Sequence, residues 1–225
     1  MNTTTLCEIH TILMKEVMNL PEYSHIQTYV KCNQNNFSEV ISNFSQALSD
    51  MNIDNAYFLT ELVWELSDNG FMYVGGGADS KEYTINNQLL HIRPYVMGWT
   101  PDVIEELSES WLVIDLLLWT EEIELDYQMG QLKEPYKLII WNLLEGLFNR
   151  FNETGVYFTN EVTDGRPWES LIMNNENELW SFDAAIIPIF LFEKYKDIDG
   201  EEFFYEYVGD KLYIARKLVW NICPW

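Results

Sequence analysis

The sequence predicts an α+β fold, in which an α-rich single domain combines about seven helices with one or two small antiparallel sheets. Most long segments place apolar residues three and four positions apart, and two shorter regions carry β-type residues between Asn and Gly turns. The chain has 225 residues, of which 48% are hydrophobic, so it can bury a sizeable core. Because no linker or repeat divides the chain, we predict one domain over residues 1–225. The one alternative boundary lies near residues 95–100, but no linker marks it.

Three helices are predicted in the first third of the chain. The first carries one apolar stripe that Pro21 ends, made of Leu6, Ile9, Leu13, Val17 and Leu20. The second covers Phe37 to Met51. The third covers Ala56 to Ser67 and turns four apolar side chains inward, namely Leu59, Leu62, Val63 and Leu66.

A change to β-type residues follows Asn69-Gly70, which is a typical helix stop. Strands are predicted at Phe71 to Val74 and within Glu82 to Ile92. The Asn86-Asn87 pair tolerates positive φ, so it predicts a tight hairpin inside the second region.

Two long helices are predicted in the middle of the chain. Thr100-Pro101-Asp102 has a cap residue, a first-turn proline and an acid, which together favour a helix start. Steps of three and four through Trp111 and Ile114 extend this helix toward Tyr127. A second helix is predicted from about Pro135 to Phe151.

Short strands and two further helices complete the prediction. The strands are Val156 to Thr159, Glu169 to Met173 and Leu179 to Phe182. The helices are Ala184 to Tyr195, which Pro188 kinks or begins, and Glu201 to Trp220.

The charge of the chain restricts its partners. With 36 acidic and 13 basic residues the net charge is −23, which repels phosphate backbones and argues against nucleic-acid binding. A charge of roughly 2 to 8 is enough to keep a small domain in solution, so the excess suggests a basic protein partner. We therefore expect an acidic intracellular binding protein, for example an immunity-type inhibitor of a cationic toxin or nuclease. The partner-binding residues would come from a stretch without any Lys or Arg: Asp102, Glu105, Glu106, Glu109, Glu121, Glu122, Glu124 and Asp126.

Two alternatives stay open. One is an acid–base hydrolase acting on a sugar-like substrate through Asp115 and Glu145, two carboxylates carried on predicted helices of otherwise apolar character. The same carboxylates could instead form structural pairs with Tyr or Trp, or with one of three arginines: Arg93, Arg150 and Arg216. The other alternative is a structural or regulatory domain without a site.

No motif indicates a cofactor or metal. The glycines after Val74 fail the spacing of phosphate-binding loops, and Asp197-Ile198-Asp199-Gly200 matches only the middle of a calcium loop. The three cysteines lack metal-type spacing, and no apolar run approaches the length of a membrane span. With no secretory signal visible, we expect a cytoplasmic protein that does not bind membranes, of open oligomeric state.

Overall fold

One large antiparallel sheet of eight strands dominates the fold. A computed structural model describes residues 22–64, 77–102, 104–126, 130–160, 163 and 165–225. The strand order in this sheet is β2-β3-β4-β1-β7-β8-β10-β9, and every neighbouring pair is antiparallel. Its strands are β1 (Tyr23–Lys31), β2 (Lys81–Ile85), β3 (Gln88–Trp99), β4 (Trp111–Trp119), β7 (Val156–Thr159), β8 (Ala184–Pro188), β9 (Phe203–Val208) and β10 (Lys211–Arg216). Strands β5 (Glu124–Asp126) and β6 (Gln131–Leu132) form a separate ribbon.

Beyond residue 95, the described residues contain fewer and shorter helices than the sequence predicts. The described α-helices are α1 (Phe37–Asp50), α2 (Thr120–Ile123), α3 (Glu134–Phe148), α4 (Pro167–Ile172) and α5 (Lys217–Trp220). Three 3₁₀ segments cover Ala56–Leu59, Glu176–Glu178 and Ile189–Tyr195. The chain is a mixed α+β protein, but the prediction of an α-rich fold with small sheets is wrong because most predicted helices after residue 95 are strands.

The sheet separates two hydrophobic clusters. On its first face, alternate residues of β4 such as Leu112 and Ile114 pack with Phe44 of α1 and Leu144 of α3. On its second face, Val113 of β4 and Tyr29 of β1 pack with the segments at 104–107 and 168–198. Both faces of the central strands are therefore covered, although by different kinds of structure.

Strand β4 corrects the largest error. The predicted helix from Thr100 to Tyr127 is instead a loop, the strand Trp111–Trp119 and the short helix α2. The first eight residues of β4 are all buried, because the strand lies between two others and is covered on both faces. A run that is apolar at nearly every position satisfies a three-four spacing trivially, so the spacing does not indicate a helix there.

The C-terminal helices are also wrong. Ala184–Pro188 is a strand, which Pro188 ends, and a 3₁₀ segment follows it. The predicted helix from Glu201 to Trp220 is the β9–β10 hairpin followed by α5. Gly209 has φ 62° at the first position of the two-residue turn, a conformation that glycine adopts easily.

Three shorter predictions are corrected as well. In the described part of the third predicted helix, residues 56–64, only Ala56–Leu59 is helical, as a 3₁₀ turn, and Leu59 and Val63 are exposed rather than inward. The stretch predicted as a strand at 169–173 lies mostly in α4, and the stretch at 179–182 is not a strand.

Four elements are confirmed. Helix α1 covers nearly the whole predicted range, helix α3 spans most of its predicted range, and Val156–Thr159 is a strand. The Asn86-Asn87 turn joins β2 to β3 with φ values of 52° and 62°. The first predicted helix and the predicted strand at 71–74 lie outside the described residues.

Candidate functional site

A cavity of about 370 Å³ opens on the second face of the sheet. Strand β1 contributes alternate side chains to it, which point to the same face because strand residues alternate. Its lining consists of Tyr23, His25, Gln27, Trp99, Thr159, Asn160, Gly165 and Trp168. This volume is at the small end of the range for ligand sites, so the cavity suits a compact group rather than a large molecule.

A histidine–aspartate pair lies at this cavity. The His25 Nδ1 atom is 2.7 Å from Asp115 Oδ2, a contact between neighbouring strands β1 and β4. Asp115 is 4% exposed, while the His25 side chain is 39% exposed. Because a carboxylate only accepts hydrogen bonds, Nδ1 of His25 carries a proton and donates it to Asp115.

The floor beneath this pair holds further polar atoms. Among the described residues, Asp115 Oδ1 has no hydrogen-bond partner. Burial raises the pKa of Tyr29 well above its ordinary value, and the negative charge of Asp115 adds to the shift. Tyr29 therefore stays protonated at neutral pH.

Two tryptophans form the aromatic wall. Trp99 ends β3 and Trp168 is the second residue of α4, and their ring centroids are 4.5 Å apart at 45°. Tyr29 stacks behind Trp99 at 5.9 Å. The wall thus joins the sheet to the segment that covers its second face.

The other described residues of the lining are uncharged. The Gln27 amide nitrogen donates to Thr159 Oγ1 at 3.4 Å, which leaves the Gln27 carbonyl oxygen as an acceptor. Asn160 is held by Gly130 and Thr163. None of the described residues that line the cavity is a lysine or an arginine.

The acidic residues predicted to bind a partner divide into two groups. Asp102, Glu105 and Glu106 are exposed on the β3–β4 loop, not on a helix, while Ile104 and Leu107 anchor this loop to the second face. None of these three acids forms an ion pair among the described residues.

Glu109 follows on the same loop and pairs with Lys31 at 2.6 Å. Its hydrogen bond raises the pKa of Lys31. This acid therefore already has a cation, unlike the three before it.

The second group lies past the other end of β4. Glu121 is exposed, Glu122 contacts His91 Nδ1 at 2.5 Å, and Glu124 is buried. Asp126 is the last residue of β5. A strand of nine residues is about 27 Å long, so the two groups do not form one patch.

Asp115 and Glu145 lie on opposite faces of the sheet. Asp115 is on β4 and faces the cavity side, whereas Glu145 is on α3, which packs on the first face. Glu145 pairs with Lys211 at 2.7 Å and accepts a hydrogen bond from the Tyr213 hydroxyl. The structure therefore does not bring the two carboxylates into one pocket, as a two-carboxylate hydrolase requires.

The sequence analysis missed the partner of Asp115 and the cavity around it. Strand β1 was not predicted, yet Ile26, Thr28 and Val30 alternate with polar residues over a run rich in β-branched side chains. That period of two places His25 and Gln27 on one face. The pairing of β1 with β4 is a long-range contact that no local pattern reveals.

Comparisons with known proteins add no relative: no protein-family model, curated protein or solved structure matches the chain. Within the described ranges, no group of three or more His, Cys, Asp or Glu side chains is placed to hold a metal ion. No helix in the described part of the chain is long and apolar enough to cross a bilayer.

Proposed function

We propose that this chain binds a basic protein surface, in the manner of an immunity-type inhibitor of a cationic toxin or nuclease. The observation that carries the proposal is the exposed β3–β4 loop, whose Asp102, Glu105 and Glu106 lack ion-pair partners among the described residues of a chain of net charge −23. Unpaired carboxylates on one loop attract a cationic surface without first losing an internal pair.

Other acids lie near this loop, at the end of the sheet where strands β4 and β10 begin. Glu153 precedes β7 and accepts a hydrogen bond from the Lys31 backbone N–H, and Asp210 lies in the β9–β10 turn. We call the six residues of this set the acidic edge: Asp102, Glu105, Glu106, Glu109, Glu153 and Asp210. Four strand spacings separate β4 from β10, so the acidic edge spans about 19 Å.

Exposed apolar side chains lie at the same edge. Ile189 is 57% exposed and Phe190 is 63% exposed, and the Ile189 N–H donates to the Asp210 carbonyl. Protein interfaces combine apolar anchors with a charged rim. The acidic edge therefore has both a steering charge and contacts that would be desolvated on binding.

Charge reversal at the acidic edge tests the proposal. The loop variant Asp102→Lys, Glu105→Lys, Glu106→Lys is compared with the control Glu82→Lys, Glu176→Lys, Glu201→Lys, whose three acids are also exposed and form no ion pair among the described residues. Each variant changes the net charge by +6, from −23 to −17, so only the location of the charge differs. We expect the loop variant to lower the association rate with a captured basic protein at least tenfold, and the control to change it less than twofold.

The measurement is affinity capture from lysate at graded NaCl, followed by surface plasmon resonance with the purified captured protein. The proposal requires a basic protein that elutes with salt and binds the control variant normally. Equal losses in both variants would show that only net charge matters. Undiminished association of the loop variant would also contradict the proposal.

A further inference from the structure

Strand β9 is the last strand at one side of the large sheet. It pairs with β10, and no described residue pairs with its other side, which we call the open side of β9. We propose that the open side binds an extended, basic segment of the partner, which would add a ninth strand to the sheet. This inference rests on the proposed function, because the basic partner supplies the segment.

The strand register shows which backbone groups face the open side. In an antiparallel pair, every second residue directs its N–H and C=O groups toward the neighbouring strand. The Lys217 N–H donates to the Glu202 carbonyl just before β9, so the even-numbered residues of β9 are those that bond to β10. The N–H and C=O groups of Tyr205 and Tyr207 therefore point outward, and no described group bonds to them.

Strand β9 lacks the features that usually protect an exposed strand from further pairing. Such strands commonly carry lysine, proline or a bulge. The sequence of β9, Phe-Phe-Tyr-Glu-Tyr-Val, contains neither lysine nor proline, and its pairing with β10 proceeds without a shift of register. The strand at the opposite side of the sheet, β2, has Lys81 and Glu82 among its five residues. An added strand would therefore meet fewer obstacles at β9 than at β2.

Exposed aromatic side chains lie beside the outward backbone groups. Tyr205 and Tyr207 are exposed and lie on the same face of β9 as Phe203, which is buried on the second face of the sheet. Tyr207 also contacts Phe192, with ring centroids 5.2 Å apart. In strand addition, main-chain hydrogen bonds give affinity and side-chain contacts give specificity. Strand β9 offers both kinds of contact.

Charge favours a basic segment over a second copy of this chain. Residues 203–210 contain two acids, Glu206 and Asp210, and no Lys or Arg. Neither acid forms an ion pair among the described residues, although Glu206 accepts a hydrogen bond from Trp225 Nε1. Two copies joined through β9 would bring these acids together, and each copy has a net charge of −23. A strand rich in lysine or arginine would instead compensate their charge.

The open side of β9 is continuous with the acidic edge. Strand β9 ends at Val208, and the turn that follows contains Asp210, which belongs to the acidic edge. The exposed Ile189 and Phe190 lie at the same turn, because the Ile189 N–H donates to the Asp210 carbonyl. A basic surface attracted to the acidic edge would therefore bring an extended segment beside the last residues of β9.

Two N-methylated peptides test the inference on the unmodified protein. Both consist of six alternating lysine and valine residues, which matches the length of β9. The first peptide is N-methylated only at its lysines, so one of its sides can still pair, and the second is N-methylated at every residue. We expect the first peptide to bind with a Kd on the order of 0.1–1 mM. At saturation it should slow hydrogen exchange of the Tyr205 and Tyr207 amides at least tenfold, and the second peptide should bind at least tenfold more weakly.

A pair of variants at one position separates the backbone from the side chain. Tyr207→Pro removes the outward N–H group, which a strand at the side of a sheet tolerates because that group faces solvent. Tyr207→Thr removes the same ring but keeps the N–H group. We expect Tyr207→Pro to weaken binding of the first peptide at least tenfold and Tyr207→Thr to weaken it less than threefold. Circular dichroism checks the fold of both variants, and the comparison of the two peptides requires neither variant.

Four results would overturn the inference. Equal binding of the two peptides would show that charge alone attracts them, and no binding of either would leave β9 without the proposed partner. A glutamate–valine peptide, N-methylated at its glutamates, that binds as tightly as the lysine–valine peptide would remove the preference for a basic strand. A dimer in sedimentation velocity that Tyr207→Pro dissociates would show that a second copy of the chain occupies β9.

The two proposals fail in different ways. If the first peptide does not bind but capture still depends on the acidic edge, only the inference about β9 is lost. If the first peptide binds and protects the two amides but charge reversal at the acidic edge leaves capture unchanged, only the proposed function is lost.

Discussion

Burial decides which titratable side chains of this chain are reactive. Asp115 and Asp183 are both almost fully buried, yet they differ in their partners. Asp183 accepts hydrogen bonds from the Asn160 N–H and the Thr163 hydroxyl, and burial raises its pKa despite them. Asp115 has His25 as its hydrogen-bonded neighbour and lies beside a cavity, which is why it is the stronger functional candidate.

Cysteine reactivity gives a prediction at the same scale. Burial raises the pKa of Cys32 to about 12, while Cys223 is partly exposed. Because the thiolate is the reactive form, Cys32 should react roughly 10³-fold more slowly at pH 8 than an ordinary thiol. In the native Cys7→Ser variant, one thiol should therefore react with Ellman's reagent within minutes.

Denaturation is the control for this measurement. In guanidinium chloride, both thiols of the same Cys7→Ser protein should react with the reagent at similar rates, because unfolding exposes Cys32. Two equally fast thiols in the native protein would contradict the predicted protection.

At the scale of elements, the β2–β3 turn tests a local conformational requirement. Asn87 has φ 62°, which most residues adopt only with strain, whereas Asn and Gly tolerate it. Asn87→Ala should lower the free energy of unfolding by about 1 kcal/mol, and Asn87→Gly should be neutral or stabilising.

Urea denaturation measures both variants. Asn149→Ala is the matched control, because Asn149 is an exposed asparagine with φ −62° at the end of α3. Its change in unfolding free energy should stay within about 0.5 kcal/mol. A loss at Asn149 as large as the loss at Asn87 would remove the argument from backbone conformation.

Elements with strong local signals could be predicted from the sequence, and centrally placed strands could not. The Asn86-Asn87 turn and the amphipathic helix α1 follow from a few neighbouring residues. Strand β4 was assigned to a helix because its burial on both faces removes the alternation that identifies a strand. The error also misplaced Asp115, which was assigned to a helix.

The candidate site was predictable only in part for the same reason. Asp115 was identified from its apolar surroundings, which are local. Its partner His25 is 90 residues away along the chain, and Trp168 reaches the cavity from the position just before a predicted strand. Contacts between distant segments are fixed by sheet topology, which the hydrophobic pattern alone does not specify.

At the scale of the whole molecule, the net charge of −23 has an energetic consequence. The compact state brings like charges closer together than the unfolded chain does, so self-repulsion destabilises the fold. Nine ion pairs of Lys or Arg with acids among the described residues, including Arg150 with Asp50 and Lys211 with Glu145, offset part of this repulsion. With 36 acids and 13 Lys and Arg residues, most acids still lack a Lys or Arg of their own.

Salt should therefore stabilise this protein. At 0.5 M NaCl the Debye length falls to roughly 4 Å, which screens repulsion between surface carboxylates more than it weakens short ion pairs. We expect Tm in calorimetry to rise by several degrees between 0.02 and 0.5 M NaCl, since about 1 kcal/mol corresponds to about 2–4 °C at this size. Both triple-lysine variants, at −17, should show a smaller rise than the unmodified chain because less repulsion remains to be screened. A Tm that falls with salt would mean that ion pairs outweigh self-repulsion. The acidic surface would then not destabilise the fold. Binding of a basic partner would therefore not be expected to stabilise the fold by reducing self-repulsion.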